Sequence, residues 1–258
     1  MNSSPEPVVS LEAVSLMYRL AKQRIPSFKE YAVHWLRGAL VYEELWALSD
    51  VSLRIGRGES VGIVGHNGAG KSTLLKVVSR VLPPTRGRLT VRGNVVPILE
   101  LGAGFDQELT GVENILLNAL LLGRTRAEID RAVGSIVATS GLGDFVRAPV
   151  RNYSSGMLAR LGFAVATAWN PDILIVDEVL AVGDAAFQER CRERMHQFRD
   201  QGTTLLIISH DLDGLRTACK RSIWLEAGRV RVDGPTDRVI GEYRSDSQSH
   251  ANAPLASR

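Results

Sequence analysis

Residues 59–82 restrict the possible folds of this 258-residue chain more than any other stretch. They begin with ESVGIVG, a short apolar run that ends at glycine, which is typical of a buried parallel strand. They end with KSTLLKVVSRVL, a helical pattern that stops before Pro83 and Pro84. The loop GHNGAGKST joins the two parts. A strand, a glycine-rich loop and a helix in direct succession predict one unit of a parallel α/β sheet.

Other segments extend this α/β pattern. DILIVDE and TTLLIISH are two more buried-strand candidates, with helical patterns between and after them. VVSLEAVSLMY and ALSDVSLRI alternate apolar and polar residues, and we interpret both as edge strands. Residues 100–165 are mostly helical with glycine-rich joints, which predicts an inserted helical subdomain. The polar residues 246–258 predict a disordered tail after one domain at residues 1–245.

The loop GHNGAGKST fits the phosphate-loop pattern G-x-x-x-x-G-K-[ST]. Small residues let its backbone N–H groups turn inward onto phosphate oxygens, and the helix that follows adds its positive end. The lysine reaches the β- and γ-phosphates, and the serine hydroxyl is a Mg²⁺ ligand. The pattern therefore predicts a nucleoside triphosphate site formed by Gly65, His66, Asn67, Gly68, Ala69, Gly70, Lys71, Ser72 and Thr73.

Two acidic residues and a histidine follow the other predicted strands. Asp177 and Glu178 end the run ILIVDE, at the edge of the sheet where open α/β folds bind ligands. Asp177 suits the Mg²⁺ hydration shell, and Glu178 is placed to orient the attacking water as a base. His210 ends LLIISH, and its spacing is equally compatible with a structural role and with a γ-phosphate contact.

Composition narrows the range of functions. The net charge of +3 gives no argument for nucleic-acid binding. Cys191 and Cys219 lie in segments of helical pattern, which predicts free thiols in a reducing compartment. The first residues lack the features of a signal peptide, and no apolar run reaches the about 18 residues that a membrane span needs. We therefore expect any membrane role to depend on a partner.

Residues 19–45 interrupt what is normally a tight connection between the first two strands. Within them, Ser27 and Glu30 have the spacing of a capping box, and Gly38 marks a stop. One face of the predicted helix is aromatic and aliphatic, with Phe28, Tyr31, Ala32, Trp35 and Leu36. This face either packs on the chain's own domain or docks on a partner or membrane surface.

With these residues in place, the chain resembles the ATP-binding subunits of ABC transporters over about residues 8–243. The family's motifs occur in order: the phosphate loop, YSSGM where the signature LSGGQ stands, ILIVDE, and the histidine after the next strand. The resemblance implies an α/β P-loop NTPase cassette with a mixed, mostly parallel RecA-like core, an antiparallel β subdomain and a helical subdomain. It also implies ATP and Mg²⁺ as cofactors and ATP hydrolysis as the reaction, with Lys71, Glu178 and His210 as catalytic residues.

The signature carries an implication about assembly. Ser154, Ser155 and Gly156 fall in YSSGM, which in this family contacts the nucleotide held by a second copy of the chain. The working unit implied is a symmetric dimer with two shared ATP sites.

Four more residues are assigned through the resemblance. Asp184 falls in the D-loop, and Glu100 stands where most members have the Q-loop glutamine, as a candidate Mg²⁺ ligand. His210 matches the family's γ-phosphate contact. Tyr18 matches the aromatic residue that stacks on adenine, with Trp46 as the alternative.

Departures from the general family pattern indicate one branch. Ser155 replaces a signature glycine and Met157 replaces the glutamine, and the chain also contains ELTGVENI, VLAVGD and the long insertion. These features resemble ATPases that export O-antigen, capsular and teichoic-acid polysaccharides. The resemblance implies a separate permease, a lipid-linked glycan as cargo, a docking role for residues 27–37, and a location on the cytoplasmic face of the bacterial inner membrane. A non-transport ABC ATPase, or a transporter of another lipid or a drug, is the alternative.

Overall fold

The computed structural model describes residues 6–21, 42–98, 102, 104–177 and 185–251. Its strands are β1 (Val9–Ala21), β2 (Tyr42–Ile55), β3 (Ser60–Val64), β4 (Arg86–Val91), β5 (Val95–Ile98), β6 (Ile173–Asp177), β7 (Thr204–Ile208), β8 (Arg221–Glu226) and β9 (Arg229–Pro235). Its α-helices are α1 (Lys71–Val78), α2 (Gly111–Leu121), α3 (Arg126–Ser140), α4 (Ser155–Ala166), α5 (Ala185–Asp200), α6 (Leu212–Ala218) and α7 (Thr236–Ala251). The helix predicted at residues 27–37, together with Glu100, Glu178 and Asp184, lies outside the described ranges.

The larger sheet has the strand order β5-β6-β7-β3-β8-β9. Its first five strands are parallel, and β9 pairs antiparallel with β8. Ile173 and Ile175 face a core shared with α1 and the smaller sheet, whereas Leu174 and Val176 face a core shared with α5. Both faces of β6 are therefore buried, which explains its continuous apolar sequence. The parallel α/β sheet expected from the sequence is confirmed.

The smaller sheet is antiparallel, with the strand order β2-β1-β4. Val9 of β1 pairs with Ile55 on one side and with Val91 on the other. The prediction that both β1 and β2 are edge strands is therefore wrong for β1, which is the central strand. Alternation identifies the buried face, where Leu11 and Val14 do lie, but it does not reveal how many neighbours a strand has.

The helical segment between β5 and β6 has its own core. Thr110 and Thr125 cap α2 and α3 in capping boxes with Glu113 and Glu128. Each glutamate accepts hydrogen bonds from the backbone N–H and hydroxyl of its threonine, which lowers the pKa of its carboxyl group. The apolar faces of α2, α3 and α4 meet in a cluster that includes Ile115, Ile136 and Leu161.

The C-terminal helix α7 extends further than the sequence predicts. Val239 and Ile240 are fully buried, and Asp246 forms a salt bridge of 3.0 Å with Arg231 of β9. The disordered tail expected from residue 246 is therefore wrong for residues 246–251, which continue the helix. The polar composition of this segment gave no indication that Asp246 pairs with Arg231 on β9.

Arg221, the first residue of β8, is hydrogen-bonded to β9, to β2 and to the residue before β3. Its guanidinium donates two hydrogen bonds to Asp233 of β9, at 2.7 and 2.6 Å, and one of 3.0 Å to Glu59 beside β3. It also donates to the Arg54 carbonyl oxygen of β2. The bonds to Asp233 and then to Glu59 raise the pKa of Arg221, so this charge is permanent. These hydrogen bonds hold the two sheets together at the end opposite the phosphate loop.

Both cysteines are buried and free, as expected. Burial raises the pKa of the Cys191 thiol to about 11 and that of Cys219 to about 12, so both stay protonated near neutral pH. Cys191 lies in α5, whereas Cys219 follows the last residue of α6 and is not helical. Among the described residues, no helix combines the length and hydropathy that a membrane span requires.

Candidate active site

Three strand ends bring the predicted site residues to one edge of the larger sheet. β3 ends at Val64, directly before the phosphate loop, and β6 ends at Asp177, which pairs with Ile208 of β7. β7 lies between β6 and β3, and the exposed His210 follows its last residue by two positions. The sheet thus places an imidazole after the strand next to β3 and a half-buried carboxylate at the end of the following strand.

The phosphate loop is wedged between the two sheets. Gly65 and Gly70 have φ values of +154° and +99°, which side chains disfavour. A Cβ on Gly65 would lie 2.2 Å from the Leu225 carbonyl oxygen of β8. A Cβ on Gly70 would lie 2.5 Å from the Ala47 carbonyl oxygen of β2. Gly68 has φ of +81° but no neighbour within 4 Å, so only its backbone conformation favours glycine.

Lys71 begins α1 and turns back over the loop. Its Nζ donates hydrogen bonds to the carbonyl oxygens of Gly65 at 2.7 Å and His66 at 3.0 Å. The His66 carbonyl also accepts the N–H of Ala69 at 3.1 Å, which closes the turn. The ammonium group is therefore held beside the first turn of α1, where the helix end attracts the same negative charge. Ser72, next in the chain, is exposed.

Tyr18 is the aromatic residue beside the phosphate loop. Its hydroxyl lies 3.5 Å from Oγ1 of Thr73, at the start of α1. Trp46 pairs with Met17, the neighbour of Tyr18, so the Tyr18 and Trp46 rings point to opposite faces of the strand pair. Arg86 lies 5.0 Å over the Trp46 ring. Of the two candidates for stacking on a base, Tyr18 has the position next to the loop.

The second glycine–serine segment forms the amino end of α4. Ser154 is its N-cap, and the Ser154 hydroxyl accepts the N–H of Met157 at 3.3 Å. Ser154 and Ser155 are exposed. Gly156 has an ordinary helical φ, and a Cβ there would meet only the Ser154 Oγ, at 3.9 Å. No neighbour among the described residues requires this glycine, although glycine lowers helix stability by about 0.5–1 kcal/mol relative to alanine.

The family described as "ABC transporter" matches residues 48–181, more than half of the chain. The chain belongs to the ABC transporter family. An O-antigen export system ATP-binding protein RfbB of Klebsiella pneumoniae is 45% identical over 240 residues, which cover 92% of this chain and 98% of that protein. The Teichoic acids export ATP-binding protein TagH of Levilactobacillus brevis is 44% identical over 199 residues, 77% of this chain and 55% of that protein.

Solved structures share the same fold. The dimeric, post-hydrolysis structure of the ATP-binding cassette MJ0796 bound to ADP and Pi has a TM-score of 0.70 with 22% sequence identity, and the match covers 88% of this chain and 98% of that one. The structure of an ATP-binding subunit of an ABC transporter has a TM-score of 0.72 with 23% identity, over 92% and 93%. The ABC cassette fold implied by the sequence motifs is thereby confirmed.

Two buried polar residues in the helical part of this ABC cassette were missed in the sequence. Tyr153 is buried beside Gly111, and its hydroxyl donates to the Phe145 carbonyl oxygen at 3.1 Å. Burial raises the pKa of Tyr153. Asn114 is fully buried in α2, where its side chain bonds the backbone N–H and carbonyl of Asp106. The polar Asn114, directly before the apolar run ILL, is the sequence signal that could have identified the second residue.

Gly68 and Gly70 of the phosphate loop provide a matched test of its packing. Gly68→Ala places a side chain at a left-handed φ in open space, so we expect a loss of about 1–2 kcal/mol in the free energy of unfolding. Gly70→Ala adds the collision with the Ala47 carbonyl oxygen, which we expect to cost about 1–3 kcal/mol more. Urea unfolding without nucleotide measures both. Equal stabilities of the two variants would contradict the wedged loop.

Proposed function

We propose that this chain is the ATP-hydrolysing subunit that powers export of a lipid-linked polysaccharide, of the O-antigen, capsule or teichoic-acid type, through a separate permease. The chain's membership in the ABC transporter family supports the energy source. Relatives that are 41–45% identical over the aligned residues support the cargo class, because they are named for O-antigen and teichoic-acid export. The observation that carries the ATPase assignment is the wedged phosphate loop with Lys71 folded over it.

The residues at the sheet edge have chemistry that fits MgATP. Lys71 holds the β- and γ-phosphates, and the aromatic face of Tyr18 stacks on adenine. Ser72 and Asp177 offer the oxygen ligands that Mg²⁺ prefers, and Glu100 is a third candidate. Among the described residues, no cluster of three or more His, Cys, Asp or Glu side chains forms a metal cage. Such a sparse oxygen set suits Mg²⁺, which keeps several waters and binds substrate phosphates. When bound, Mg²⁺ would neutralise charge that develops on the phosphates.

The α4 end supplies the second half of each site. Ser154 caps α4, and the exposed Ser154 and Ser155 stand beside Gly156, where no described neighbour requires a glycine. We infer that this end contacts the γ-phosphate of ATP held by a second copy of the chain, since a glycine allows the closest approach. Two copies related by a twofold axis then share two ATP molecules at one interface.

Hydrolysis in this arrangement follows from the placement of the strand ends. Glu178 accepts a proton from the attacking water, whose oxygen bonds the γ-phosphorus while the bond to the ADP oxygen breaks. We assign the γ-phosphate contact to His210 and a nucleotide contact to Asp184. The products are ADP and phosphate, so the ATP that joined two copies becomes two separate molecules and the copies separate. The permease changes conformation with them, because it binds the joined and the separated copies with different affinities.

An exposed apolar surface is available for the permease. Leu120 and Leu121 end α2 and are 49% and 73% exposed. Leu121 borders a cavity of about 190 Å³ between α2 and α4, which Phe105 and Val165 also line. Large exposed apolar side chains around a groove are typical of a protein-docking surface. We infer that a short amphipathic segment of the permease docks here, and that residues 27–37 add a second contact.

Glu178→Gln tests the hydrolytic assignment. We expect ATP affinity to be retained and turnover to fall by about 10²–10⁴-fold, because the amide cannot accept the proton from water. Steady-state phosphate release and equilibrium binding of a fluorescent ATP analogue measure the two quantities. Glu193→Gln, at an exposed position on α5, is the control for a neutral amide elsewhere. Normal turnover in Glu178→Gln would place the base at another residue.

Reconstitution with a permease tests the cargo. In proteoliposomes, we expect a polyprenyl-linked glycan to stimulate the ATPase, whereas the polyprenyl phosphate alone and an unrelated amphiphilic drug do not. Leu121→Asp should weaken permease binding by about tenfold or more, since it removes a central apolar contact. Val81→Asp, at a position just after α1 that is 59% exposed, is its matched control. Equal stimulation by the drug and the glycan would favour the other cargo classes.

A further inference from the structure

Tyr243 of α7 touches the phosphate loop. Its ring centroid lies 5.2 Å from that of His66, the second residue of GHNGAGKST, with an interplanar angle of 49°. On its other side Tyr243 meets Trp224 of β8 at 5.6 Å, edge to face. Trp224 is only 1% exposed and is paired with Val64, the residue before the loop. A column of three rings therefore connects the core of the sheet to the loop.

The column is held rigidly by its own neighbours. Arg231 of β9 lies 4.1 Å over the Trp224 ring and forms a 3.0 Å salt bridge with Asp246, one helical turn beyond Tyr243. At the other end of α7, the Thr236 hydroxyl donates to the Cys219 carbonyl oxygen at 2.8 Å. The helix between these two anchors has little freedom to shift, so the position of the Tyr243 ring is fixed relative to β8.

His66 connects the Tyr243 ring to the phosphate loop. It is exposed, so the chain's core does not hold its side chain, and the Tyr243 ring is its aromatic contact. The His66 carbonyl oxygen accepts hydrogen bonds from Lys71 Nζ and from the Ala69 N–H, at 3.0 and 3.1 Å. A movement of His66 therefore changes two groups of the phosphate loop together.

We propose that Tyr243 is a positioning residue for nucleotide binding, which acts through His66 to hold the phosphate loop and Lys71 in the binding arrangement. The proposal rests on the ATP-binding function proposed above. Tyr243 does not touch the reacting atoms, so its contribution belongs to the binding of ATP and not to the chemical step. The C-terminal helix is thereby part of the nucleotide site, although it lies about 170 residues beyond the loop in sequence.

Tyr243→Ala tests the proposal in the full chain. We expect the Kd and KM for ATP to rise by about 3–10-fold, as the loss of an aromatic pair predicts, with kcat changed by less than about twofold. Tyr243→Phe keeps the ring and should restore wild-type binding. Glu242→Ala, an exposed neighbour on α7 that pairs with Arg238, is the matched control and should leave the Kd unchanged.

A double-mutant cycle separates positioning from general loss of stability. In a His66→Ala background, Tyr243→Ala should produce no further rise in the Kd, because the contact is already absent. Equal Kd values for wild type and Tyr243→Ala, or the same rise in both backgrounds, would overturn the proposal. Failure of the wild-type chain to bind ATP would instead overturn the proposed function, so the two failures are distinguishable.

Discussion

The rest of the structure depends on the close approach of the phosphate loop to the backbones of two sheets. The Ala47 carbonyl oxygen of β2 and the Leu225 carbonyl oxygen of β8 occupy the space where side chains of Gly70 and Gly65 would be. The turn between β8 and β9 closes the same junction, since the Gly228 N–H donates to the Ala69 carbonyl oxygen at 3.0 Å. Because the loop is fixed on both sides, the conformation of its backbone is set before phosphate binds. Binding therefore requires little further ordering of its N–H groups.

The same constraint explains why the larger sheet, the smaller sheet and α7 all contribute to one site. β3, β6 and β7 deliver the loop, Asp177 and His210 to a common edge. β1 adds Tyr18 beside Thr73, and α7 adds Tyr243 beside His66. The amino end of α4 is the exception, because Ser155 is exposed and no described neighbour requires Gly156, whereas Ser154 caps the helix. In the function proposed above, a partner copy uses that end, and closure around a shared ligand gives ATP its control over the assembly.

The sequence predicts most of this fold because its strongest signals are local. ESVGIVG and ILIVDE are short, continuous apolar runs, the pattern that a strand buried on both faces of a parallel sheet requires. The alternation of apolar and polar residues could not show that β1 is the central strand, because a strand has the same pattern with one paired strand as with two. Tyr243 and Asp246 were missed because their partners, His66 and Arg231, are contributed by distant segments. Contacts between residues that are distant in sequence produce no periodic pattern in the sequence itself.

The central claim, that each ATP site combines the loop of one copy with the α4 end of another, is tested most directly by mixed dimers. Differently tagged chains carrying Lys71→Ala and Gly156→Asp are co-expressed, purified through both tags and assayed for ATP hydrolysis. At residue 156, an added Cβ would lie 3.9 Å from its nearest atom among the described residues, the Ser154 Oγ, so it makes no close contact. If the sites are shared, a dimer with the two substitutions on different copies is active, because one of its two sites is then intact. A dimer with both substitutions on one copy and a wild-type partner has only background activity, because each site then contains one of the substitutions. The reverse result would mean that each chain completes its own site and would contradict the account.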